Sequence, residues 1–519
     1  MLAGRERQQG FFDAAWCSGL LAEDSIYALL ANHGDRIVRD EDFAECYSAR
    51  WGRPSIAPSL LAKVLLLAYR NGLSDRRAME ALRFDLRWKV ALDLPIDHPG
   101  FHHTSLVKFR ARLLLHGKER IVFERSLELA AELGLLDGAV EQIVDSTPML
   151  GAAAVQDTVT LVRAGVRKLI DAVTARDASA AARLRAALAF DYARPREKPA
   201  ADWQDKTARE AMLVEVATDA QRAVRAVEHD HELVADAAVG GAVKLLREIV
   251  GQEFDTGDDQ APRPRHGRQS RQIISAHDPE MRHGRKTSAR RFTGYKLHAA
   301  AAADAPLVTA ITISPGNEHD GHHAAGLVSQ QPERRRPQRL IGDAAYGNIE
   351  VREQLEQRQV GVLARLHTTA SDADDAIAKD EFHIDLDTDT VTCPQGKTAT
   401  IYKPRRSRPA ATGQRVARFS PTDCQPCPLR ARCAPGGRRQ IRLSRREDLR
   451  QAALRQLADP AERERLKRTR PRIERLLGLM VYRYHARTSR YHGTRKTELQ
   501  AVWTAVLVNL HPIRAALQA

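Results

Sequence analysis

Two aspartates each end a short apolar run, in the pattern of a buried strand that closes on an acid. Asp343 ends the run Arg-Leu-Ile-Gly-Asp, and Asp145 ends Gln-Ile-Val-Asp. Aliphatic and β-branched residues in such runs predict short strands that face a core. An ionised carboxylate at the end of a buried strand costs free energy unless a cation meets it. We therefore expect a metal ion or a basic partner beside both aspartates.

Glu474 is a third acid with the same potential. It lies just after Pro471, in a stretch whose apolar residues recur at helical spacing. Two strand aspartates and one helical glutamate form the pattern of a metal-binding triad. The donors are hard oxygens without a nearby His or Cys, which favours Mg²⁺ or Mn²⁺ over zinc. Glu462 and Glu464 lie on the preceding helical run and are alternatives for the third position.

The length and composition of the chain indicate the number of domains, the type of partner and the cellular compartment. The chain has 519 residues, which predicts three or four domains. Its formal net charge is +15, and the simplest partner for such a surface is a polyanion, DNA or RNA. The alternative is a basic surface that serves solubility. With six cysteines, no apolar signal-peptide core and no run of roughly 18 apolar residues, the sequence predicts a soluble intracellular protein with no membrane partner.

Residues 1–135 are predicted to form an N-terminal all-helical domain. An apolar helix over 60–69 ends at an Asn-Gly pair. Helices over 75–82, capped by a serine, and over 86–94 follow it. Helix, glycine-containing turn and helix are compatible with a helix-turn-helix unit.

A further helix of this region is basic on one side. It is predicted to begin at a cap formed by Thr104 or Ser105. Apolar residues alternate there with three basic ones, which are Lys108, Arg110 and Arg112. We interpret this helix as a DNA-binding element. The alternative is a helical scaffold with a solvated basic face.

The next segments indicate an α/β catalytic domain that helices interrupt. Residues 136–155 hold the first strand, which ends near Asp145. Residues 156–272 are Ala-rich and helix-periodic, and are predicted to be an insertion that serves packing or dimer contact, or a plain helical bundle. The last part of this insertion, 254–271, combines prolines with clustered arginines and is interpreted as a mobile basic linker.

The catalytic domain continues over 273–367. Two strands joined by a turn come first, then a helix that Asp320 is predicted to cap, and then the strand that ends at Asp343. A helix over 349–358 and a strand over 360–366 complete the pattern. The order of strand, strand, strand, helix, strand, helix and strand is that of an RNase H-like sheet, with one insertion placed early.

Residues 368–450 read as a second, β-rich insertion. Alternating apolar residues on either side of an Asp-Thr-Asp turn at 387–389 predict a hairpin, and further short strands follow. This insertion also holds four of the six cysteines. The last segment, 451–519, is predicted to contain a helix that begins at Asp459 and carries Glu474, followed by basic and then apolar helical residues.

The order of these motifs resembles a DDE transposase of a bacterial insertion sequence. The motifs are Val-Asp-Ser-Thr at Asp145, Gly-Tyr-Lys-Leu-His with Tyr295 and His298, Gly-Asp-Ala-Ala-Tyr-Gly at Asp343, and Glu474 ahead of an Arg-rich helix. The resemblance covers most of the chain. It implies an α/β multi-domain protein whose RNase H-like mixed sheet is flanked by helices, with an N-terminal helical domain, a helical insertion and a small β-rich insertion that holds the cysteines.

The resemblance also implies a reaction. Asp145 and Asp343 would face each other at adjacent strand ends and share two Mg²⁺ or Mn²⁺ ions, and Glu474 would complete the second ion's site. Such ions, about 3.5–4 Å apart, activate the attacking oxygen and stabilise the leaving one. Water first cleaves DNA at the transposon end, and the released 3′-hydroxyl then attacks target DNA. The implied partner is double-stranded DNA, bound by a homodimer in the bacterial cytoplasm at the nucleoid.

The sequence departs from the pattern Tyr-x₂-Arg-x₃-Glu-x₆-Lys that one subgroup has around the third acid. Arg470 matches the arginine, but Lys467 stands in the tyrosine position and Val481 in the lysine position. The handling of the DNA end, including whether a hairpin intermediate forms, is therefore left open. Basic residues of this region are interpreted as phosphate contacts, with an exposed helix face as the alternative: Arg470, Arg487, Arg490, Arg495 and Lys496.

Three other functions are compatible with parts of the sequence. The first is an endonuclease of the same fold, which would cleave DNA without joining it. The second is an inactive DNA-binding derivative of a transposase, which the intact set of three acids disfavours. The third is a tyrosine recombinase, which would use Arg487, Arg490, Tyr491 and His492.

The cysteines of the second insertion have a spacing that suits zinc. Cys424 and Cys427 form a Cys-x₂-Cys pair, Cys433 follows, and Cys393 lies upstream at the end of the predicted hairpin. Four thiolates can close a tetrahedral structural zinc site and stabilise a loop-rich segment that has few apolar residues. The alternative is four reduced and partly buried thiols.

Overall fold

The structure, a computed structural model, describes most of the chain. The described residues are 14–48, 50, 53–136, 141–193, 202–256, 261–265, 267, 269, 271–287, 289–366, 377–403 and 415–519. Within these ranges, no helix combines the length and the apolar character that crossing a membrane requires.

Helices make up the N-terminal region, as the sequence predicts. They are α1 (Ile26–Ile37), α2 (Pro58–Arg70), α3 (Asp75–Phe84), α4 (Leu86–Leu92), α5 (Thr104–Leu115) and α6 (Ile121–Glu132). Ser74 caps α3, because its hydroxyl accepts a hydrogen bond from the backbone N–H of Arg77. The start of α5 differs from its prediction. His103 precedes α5 without a side-chain cap, and the Thr104 hydroxyl bonds to the ring of His102 instead.

The first strand, β1 (Gln142–Leu150), is followed by the predicted helical insertion. The insertion comprises α7 (Thr158–Arg176), α8 (Ala178–Ala186), α9 (Lys206–Glu228), α10 (His231–Ala235) and α11 (Ala237–Glu253). Each helix begins at an aspartate whose carboxylate accepts backbone N–H groups of the first turn. The helices bury a core of their own, in which Val166 of α7 and Leu246 of α11 lie.

The segment predicted to be a mobile linker is partly a hairpin. β2 (Phe254–Thr256) pairs antiparallel with β3 (Pro262–Pro264), and Arg265 forms an ion pair with Asp255. Phe254 is buried in the core of the helical insertion and holds the start of the hairpin there. The linker prediction is therefore wrong for these strands, whose prolines and polar residues give no apolar pattern. Residues 257–260 lie outside the described part of the chain.

A mixed sheet forms the centre of the molecule. Its other strands are β4 (Arg282–Arg285), β5 (Arg291–Ala302), β6 (Val308–Pro315), β7 (Arg339–Ile341) and β8 (Gly361–Leu363). β5 is antiparallel to β1, and its opposite edge pairs with β4 and then with β6. β7 lies on the other side of β1 and parallel to it, and β8 is parallel to β7. The sequence predicts β5 to β8 in this order, and it does not predict β4.

The second insertion is a five-stranded antiparallel sheet. Its strands are β9 (His383–Asp385), β10 (Thr390–Thr392), β11 (Thr398–Tyr402), β12 (Val416–Arg418) and β13 (Gln440–Arg442), which lie side by side in chain order. β9 and β10 form the predicted hairpin, with Asp389 in the left-handed region at φ 51°. Phe382 and Phe419 lie in a separate small core. The short helices α14 (Pro421–Cys424) and α15 (Arg430–Cys433) precede β13.

Helices complete the fold. α12 (Ala324–Ser329) and α13 (Ile349–Glu356) flank the strand that precedes Asp343, and α16 (Glu447–Ala458) follows the second insertion. α17 (Pro460–Gly478) begins at Asp459 as predicted, and Pro471 lies inside it rather than at its start. α18 (Thr494–Gln518) runs through the centre of the protein, and every residue from Thr497 to Leu510 except Glu498 is buried.

Both faces of the central sheet are covered, which explains why its strands are almost continuously apolar. Successive residues of a strand point to opposite faces, so Ile143 and Val144 enter different cores. Val144 packs with α12 and α13. Ile143 belongs to a larger core that α18, α17 and the N-terminal helices share. The described helices of the N-terminal region, which was predicted as a separate domain, therefore share their core with the sheet.

Asn509 tests how much α18 contributes to this fold. Its buried amide accepts from the backbone N–H of Val308 at 2.8 Å and donates to the carbonyl of Val308 at 2.9 Å. In Asn509→Ala both backbone groups lose their partner, so we expect the free energy of unfolding to fall by about 2–4 kcal/mol. Denaturant unfolding measures the loss. The matched control is Gln518→Ala at the exposed end of α18, and an equal effect in both variants would contradict the prediction.

Candidate active site

Asp145 and Asp343 lie at the same level on neighbouring parallel strands. Ile143 of β1 pairs with Ile341 of β7, and each aspartate is two residues further along its chain. Because this pairing is parallel and in register, Asp343 follows the end of β7 beside Asp145, which lies within β1. The prediction that the first strand ends near Asp145 is therefore wrong, because β1 continues to Leu150 and pairs with β5 beyond the aspartate.

Local turns fix both carboxylates. Asp145 accepts a hydrogen bond from the backbone N–H of Ser146 at 2.7 Å. Asp343 begins the short helical turn Ala344–Tyr346 and accepts from the backbone N–H of Ala345 at 2.9 Å. Gly342 is required between β7 and this turn, because a Cβ there would lie 2.9 Å from Cβ of Tyr346.

Glu474 reaches the same region from α17, which packs against β1. The preceding residue, Ile473, is buried, whereas Glu474 is 54% exposed and pairs with Arg470 at 3.3 Å. The alternative acid Glu462 is engaged elsewhere, in an ion pair with Arg339 at 2.8 Å. Glu464 is exposed.

The three acids interact electrostatically. Burial raises the pKa of Asp145 to about 6, and the negative charges of Asp343 and Glu474 contribute to the rise. The N–H of Ser146 and the positive charge of Arg470 oppose this rise. Like charges at close range disfavour ionisation of one another unless a cation is present. Asp343, Glu474 and Arg470 therefore all lie within electrostatic range of Asp145.

A polar network that the sequence did not predict supports Asp145. The Ser146 hydroxyl donates to Asp320 at 2.8 Å, and Lys296 Nζ donates to Asp320 at 2.6 Å. Burial by itself would raise the pKa of Asp320, but the hydrogen bond and charge of Lys296 hold it below its usual value. Asp320 is therefore not the predicted helix cap, a position that His319 takes by accepting from the N–H of Gly321. The sequence feature that could have indicated this network is Lys296, a lysine within a predicted buried strand.

The motif residues Tyr295 and His298 lie behind this network. The Tyr295 hydroxyl donates to Asp278 at 2.5 Å. His298 is fully buried, bonds through Nε2 to the Ser314 hydroxyl at 2.8 Å, and stacks on His323. Burial lowers the pKa of His298 to about 3, so its ring is neutral at physiological pH. Both side chains support the strand that carries Lys296.

The donor set fits a divalent cation. Asp145, Asp343 and Glu474 offer carboxylate oxygens only, which suits Mg²⁺ or Mn²⁺. A cation would also remove the repulsion that contributes to the raised pKa of Asp145. Over the described part of the chain, no three His, Cys, Asp or Glu side chains are arranged closely enough to hold a metal ion. Closing such a site requires the exposed Glu474 side chain to leave Arg470 and turn inward.

A basic cavity of about 500 Å³ opens beside Lys296. Its cationic lining residues are Arg282, Arg285, Arg291 and Lys296. Asn317 and His319 line it from the segment that leads to Asp320. An anionic ligand such as the DNA backbone suits this lining.

The basic residues predicted to bind DNA differ in their environment. Lys108 is exposed, and Arg112 is exposed with its guanidinium 4.6 Å from the ring centre of Tyr47. Arg110 is buried and donates two hydrogen bonds to Asp75, at 2.9 and 2.5 Å. The structure thus gives Arg110 an internal partner, which corrects its interpretation as a phosphate contact.

The C-terminal basic residues divide in the same way. Arg487 donates to the carbonyl of Pro148 at 3.0 Å, and Arg490 donates to that of Leu73 at 2.7 Å. Both guanidinium groups thus bind backbone inside the protein. Arg495 is 68% exposed although it reaches Glu119, and Lys496 is exposed.

Tyr491, the nucleophile that the tyrosine recombinase alternative would use, is engaged in contacts within the protein. The Tyr491 hydroxyl bonds to the hydroxyl of the buried Tyr69 at 2.9 Å, and the guanidinium of Arg110 lies over the Tyr491 ring. Arg490 has its backbone partner, and only His492 of the set is exposed. These contacts stabilise the junction between α2, α5 and the C-terminal segment.

The four cysteines of the second insertion, here called the cysteine cluster, lie together. Cys393, Cys424, Cys427 and Cys433 all line one cavity of about 220 Å³. Burial raises the pKa of Cys433, Arg439 opposes this, and the three other cysteines raise it further. All four sulfurs are free of disulfide bonds.

Two protein-family models match the chain. One is described as a transposase DDE domain and matches residues 262–510, which include Asp343 and Glu474 but not Asp145. The other is described as a transposase domain (DUF772) and matches residues 18–112, from the first helical turn into α5. No curated protein and no solved structure matches the chain.

The raised pKa of Asp145 predicts a pH-dependent stability. Because the pKa is about 6 in the folded protein against an ordinary 3.8, stability falls as pH rises through this window. Since one pKa unit is about 1.4 kcal/mol, we expect metal-free Asp145→Asn to be more stable than wild type by about 1–3 kcal/mol at pH 8. The difference should disappear below about pH 4. Denaturant unfolding in EDTA at both pH values measures it.

The control for this comparison is Glu23→Gln, which neutralises an exposed acid of the N-terminal region. Its stability should match that of wild type at both pH values. Added Mg²⁺ should stabilise wild type and not Asp145→Asn. A variant no more stable than wild type at pH 8 would show that burial and the neighbouring acids do not raise the pKa of Asp145.

Proposed function

Because the chain belongs to the DDE transposases of insertion sequences, we propose that it binds the ends of its element and catalyses DNA cleavage and strand transfer. The observation that carries this proposal is the register of β1 and β7, which brings Asp343, just beyond β7, beside Asp145 of β1. Two carboxylates on neighbouring strands, with a third on a helix, suit a metal-dependent phosphodiester reaction.

We propose that the catalytic sheet is RNase H-like. The supporting observation is the strand order β6, β5, β1, β7, β8, in which β5 is antiparallel to β1 and the last three strands are parallel. β4 adds to the edge that β6 occupies. In this assignment both insertions leave the strand order unchanged, since each folds beside the sheet.

The three acids would hold the metal ions, and Lys296 would contact the DNA. Bound at Asp145, Asp343 and Glu474, two Mg²⁺ or Mn²⁺ ions would activate the attacking oxygen and stabilise the leaving one. The backbone N–H groups of Ser146 and Ala345 hold one oxygen of each aspartate, which leaves the other free to bind. Lys296 fixes Asp320 and faces the basic cavity, where it would contact a phosphate near the scissile bond.

The reaction would consist of two phosphoryl transfers at this one site. Water attacks the phosphorus at the element's end, and the bond to the 3′ oxygen breaks to leave a free 3′-hydroxyl. That hydroxyl then attacks a phosphodiester of target DNA and displaces its 3′ oxygen. Neither step needs a covalent protein intermediate. Joining two ends to one target would be served by a dimer on chromosomal DNA in the bacterial cytoplasm.

The DNA surface would include the exposed basic residues and the basic cavity. Lys108 and Arg112 of α5, with Arg495 and Lys496 of α18, are available for phosphates. Arg470 lies next to the acids and would contact the strand being cut. Phosphate contacts of this kind set position and affinity rather than sequence preference.

Substitution of the acids tests the catalytic assignment. We expect Asp145→Ala and Asp343→Ala to lower Mg²⁺-dependent nicking of end DNA by at least about 10²-fold, because each removes a metal ligand. Glu474→Ala should behave alike. Binding to end DNA should persist, since none of these residues lies on α5. Nicking of labelled DNA and a filter-binding assay give the two readouts.

The control is Glu464→Ala, which removes an exposed acid from the same helix. Glu464→Ala should keep its nicking activity. If Glu464→Ala is inactive and Glu474→Ala is active, Glu464 and not Glu474 is the third acid. Supplying precut DNA with a free 3′-hydroxyl separates a transposase from an endonuclease. Joined products support the proposal, and cleavage without joining would identify a nuclease of the same fold.

The salt dependence of binding tests the role of α5. For Lys108→Ala/Arg112→Ala we expect weaker binding across unrelated DNA sequences, and a log–log salt slope shallower by about 1 for each phosphate that the variant no longer neutralises. Fluorescence anisotropy across a salt series measures both. The matched control, Arg176→Ala/Arg183→Ala, removes two exposed charges from the helical insertion. Equal slopes in wild type and the α5 variant would place DNA binding elsewhere.

A further inference from the structure

The cysteine cluster lies at the turns of the second insertion, apart from the acids. Cys393 follows β10, Cys424 ends α14, and Cys433 ends α15, with Cys427 between these two short helices. All four side chains are half-buried and line the same cavity. Four polarisable sulfurs around one small space point to a shared ligand.

The backbone around the sulfurs has the form of a ligand loop. The turn after Cys393 is closed by Gly396 in the left-handed region, at φ 76°. Within this turn the backbone N–H of Lys397 donates to Sγ of Cys393 at 3.3 Å. This bond fixes the position of the Cys393 sulfur within the turn. On the other side, the N–H of Cys427 donates to the carbonyl of Cys424, which holds this pair on one turn.

The insertion needs an additional source of stability. Its strands are three to five residues long, and its apolar core contains ten buried residues. A sheet of such short strands buries little apolar surface against the entropy of ordering its loops. Three of the cysteines pack at the edge of this core, so a bond among them would extend it.

We propose that the cysteine cluster binds one zinc ion through four thiolates. Zinc prefers a tetrahedral sulfur set, and four protein ligands leave no position open for a substrate, so the ion would be structural. The described sulfurs line their cavity without forming a closed ligand group. The turns that carry Cys393 and Cys427 would close around the ion as it binds. Zinc binding would then contribute directly to the folding of this insertion.

The closed site would also fix the outer surface of the insertion. Arg439 donates to the carbonyl of Cys433 at 3.1 Å and to that of Ile377 at 2.7 Å. This contact connects the cysteine loop to the first described residues of the insertion. From there, Lys379 reaches the fully buried Glu447 at the start of α16. Zinc would thus hold the loop against the element that leads into α17.

Metal analysis of the full-length protein tests the proposal. Protein purified without chelators should contain roughly one zinc per chain, and Cys424→Ser and Cys427→Ser should each lose it. Two control variants should keep their zinc. Cys17→Ser removes a cysteine of the N-terminal region, and Asp145→Ala removes a ligand proposed for the catalytic ion, so failure of one metal site is distinguished from failure of the other.

If the cysteine substitutions prevent folding, a thiol titration of the wild-type protein provides a second test. A mercurial reagent added to wild type should release the zinc in proportion to the modification of four of the six thiols. Zinc-free protein with six reactive thiols would overturn the proposal. The proposal would also be overturned if a reductant, but not a chelator, made four thiols reactive, because the cysteine cluster would then contain disulfides. Zinc retained by both cluster variants would overturn it as well.

Discussion

The parallel pairing of β1 with β7 is the constraint on which the rest of the structure depends. It brings Asp343 beside Asp145, whose pKa is raised mainly by burial and further by the negative charge of Asp343. Both faces of the sheet are packed with helices, which keeps these strands in register. Next to Asp145, the Ser146 hydroxyl donates to Asp320, which also forms an ion pair with Lys296. The packing of the sheet thus keeps Asp343 within electrostatic range of Asp145.

Two large insertions separate the acids along the chain without disturbing this pairing. Each insertion buries its own apolar residues, the helical one around α7 and α11 and the β-rich one around Phe382 and Phe419. The entropy of closing a loop grows slowly with its length, so a self-folding insertion adds little cost to the pairing of distant strands. The active site can therefore be assembled from three remote segments of sequence.

Secondary-structure elements could be predicted from the sequence more completely than the contacts between side chains. Apolar periodicity located β1, β5, β7 and α17, and with them the three acids, because burial imposes a repeating pattern on a chain. It missed β4 and the β2–β3 hairpin, whose residues are mostly polar or proline and form no apolar run. It assigned Asp320 to a helix cap and Arg110 to DNA, since an isolated charge carries no sign of its partner. Only the fold brings Lys296 to Asp320 and Asp75 to Arg110.

The shared core of the N-terminal helices, the sheet and α18 has a consequence for how such a protein can change over time. The N-terminal helices and α18 lie several hundred residues apart in the sequence, yet their side chains pack together, as Trp503 does with Phe109 and Tyr69. Recombination that exchanged only one of these two segments would leave the packed surfaces mismatched. Substitutions in the N-terminal helices are therefore tolerated best when α18 changes to match them.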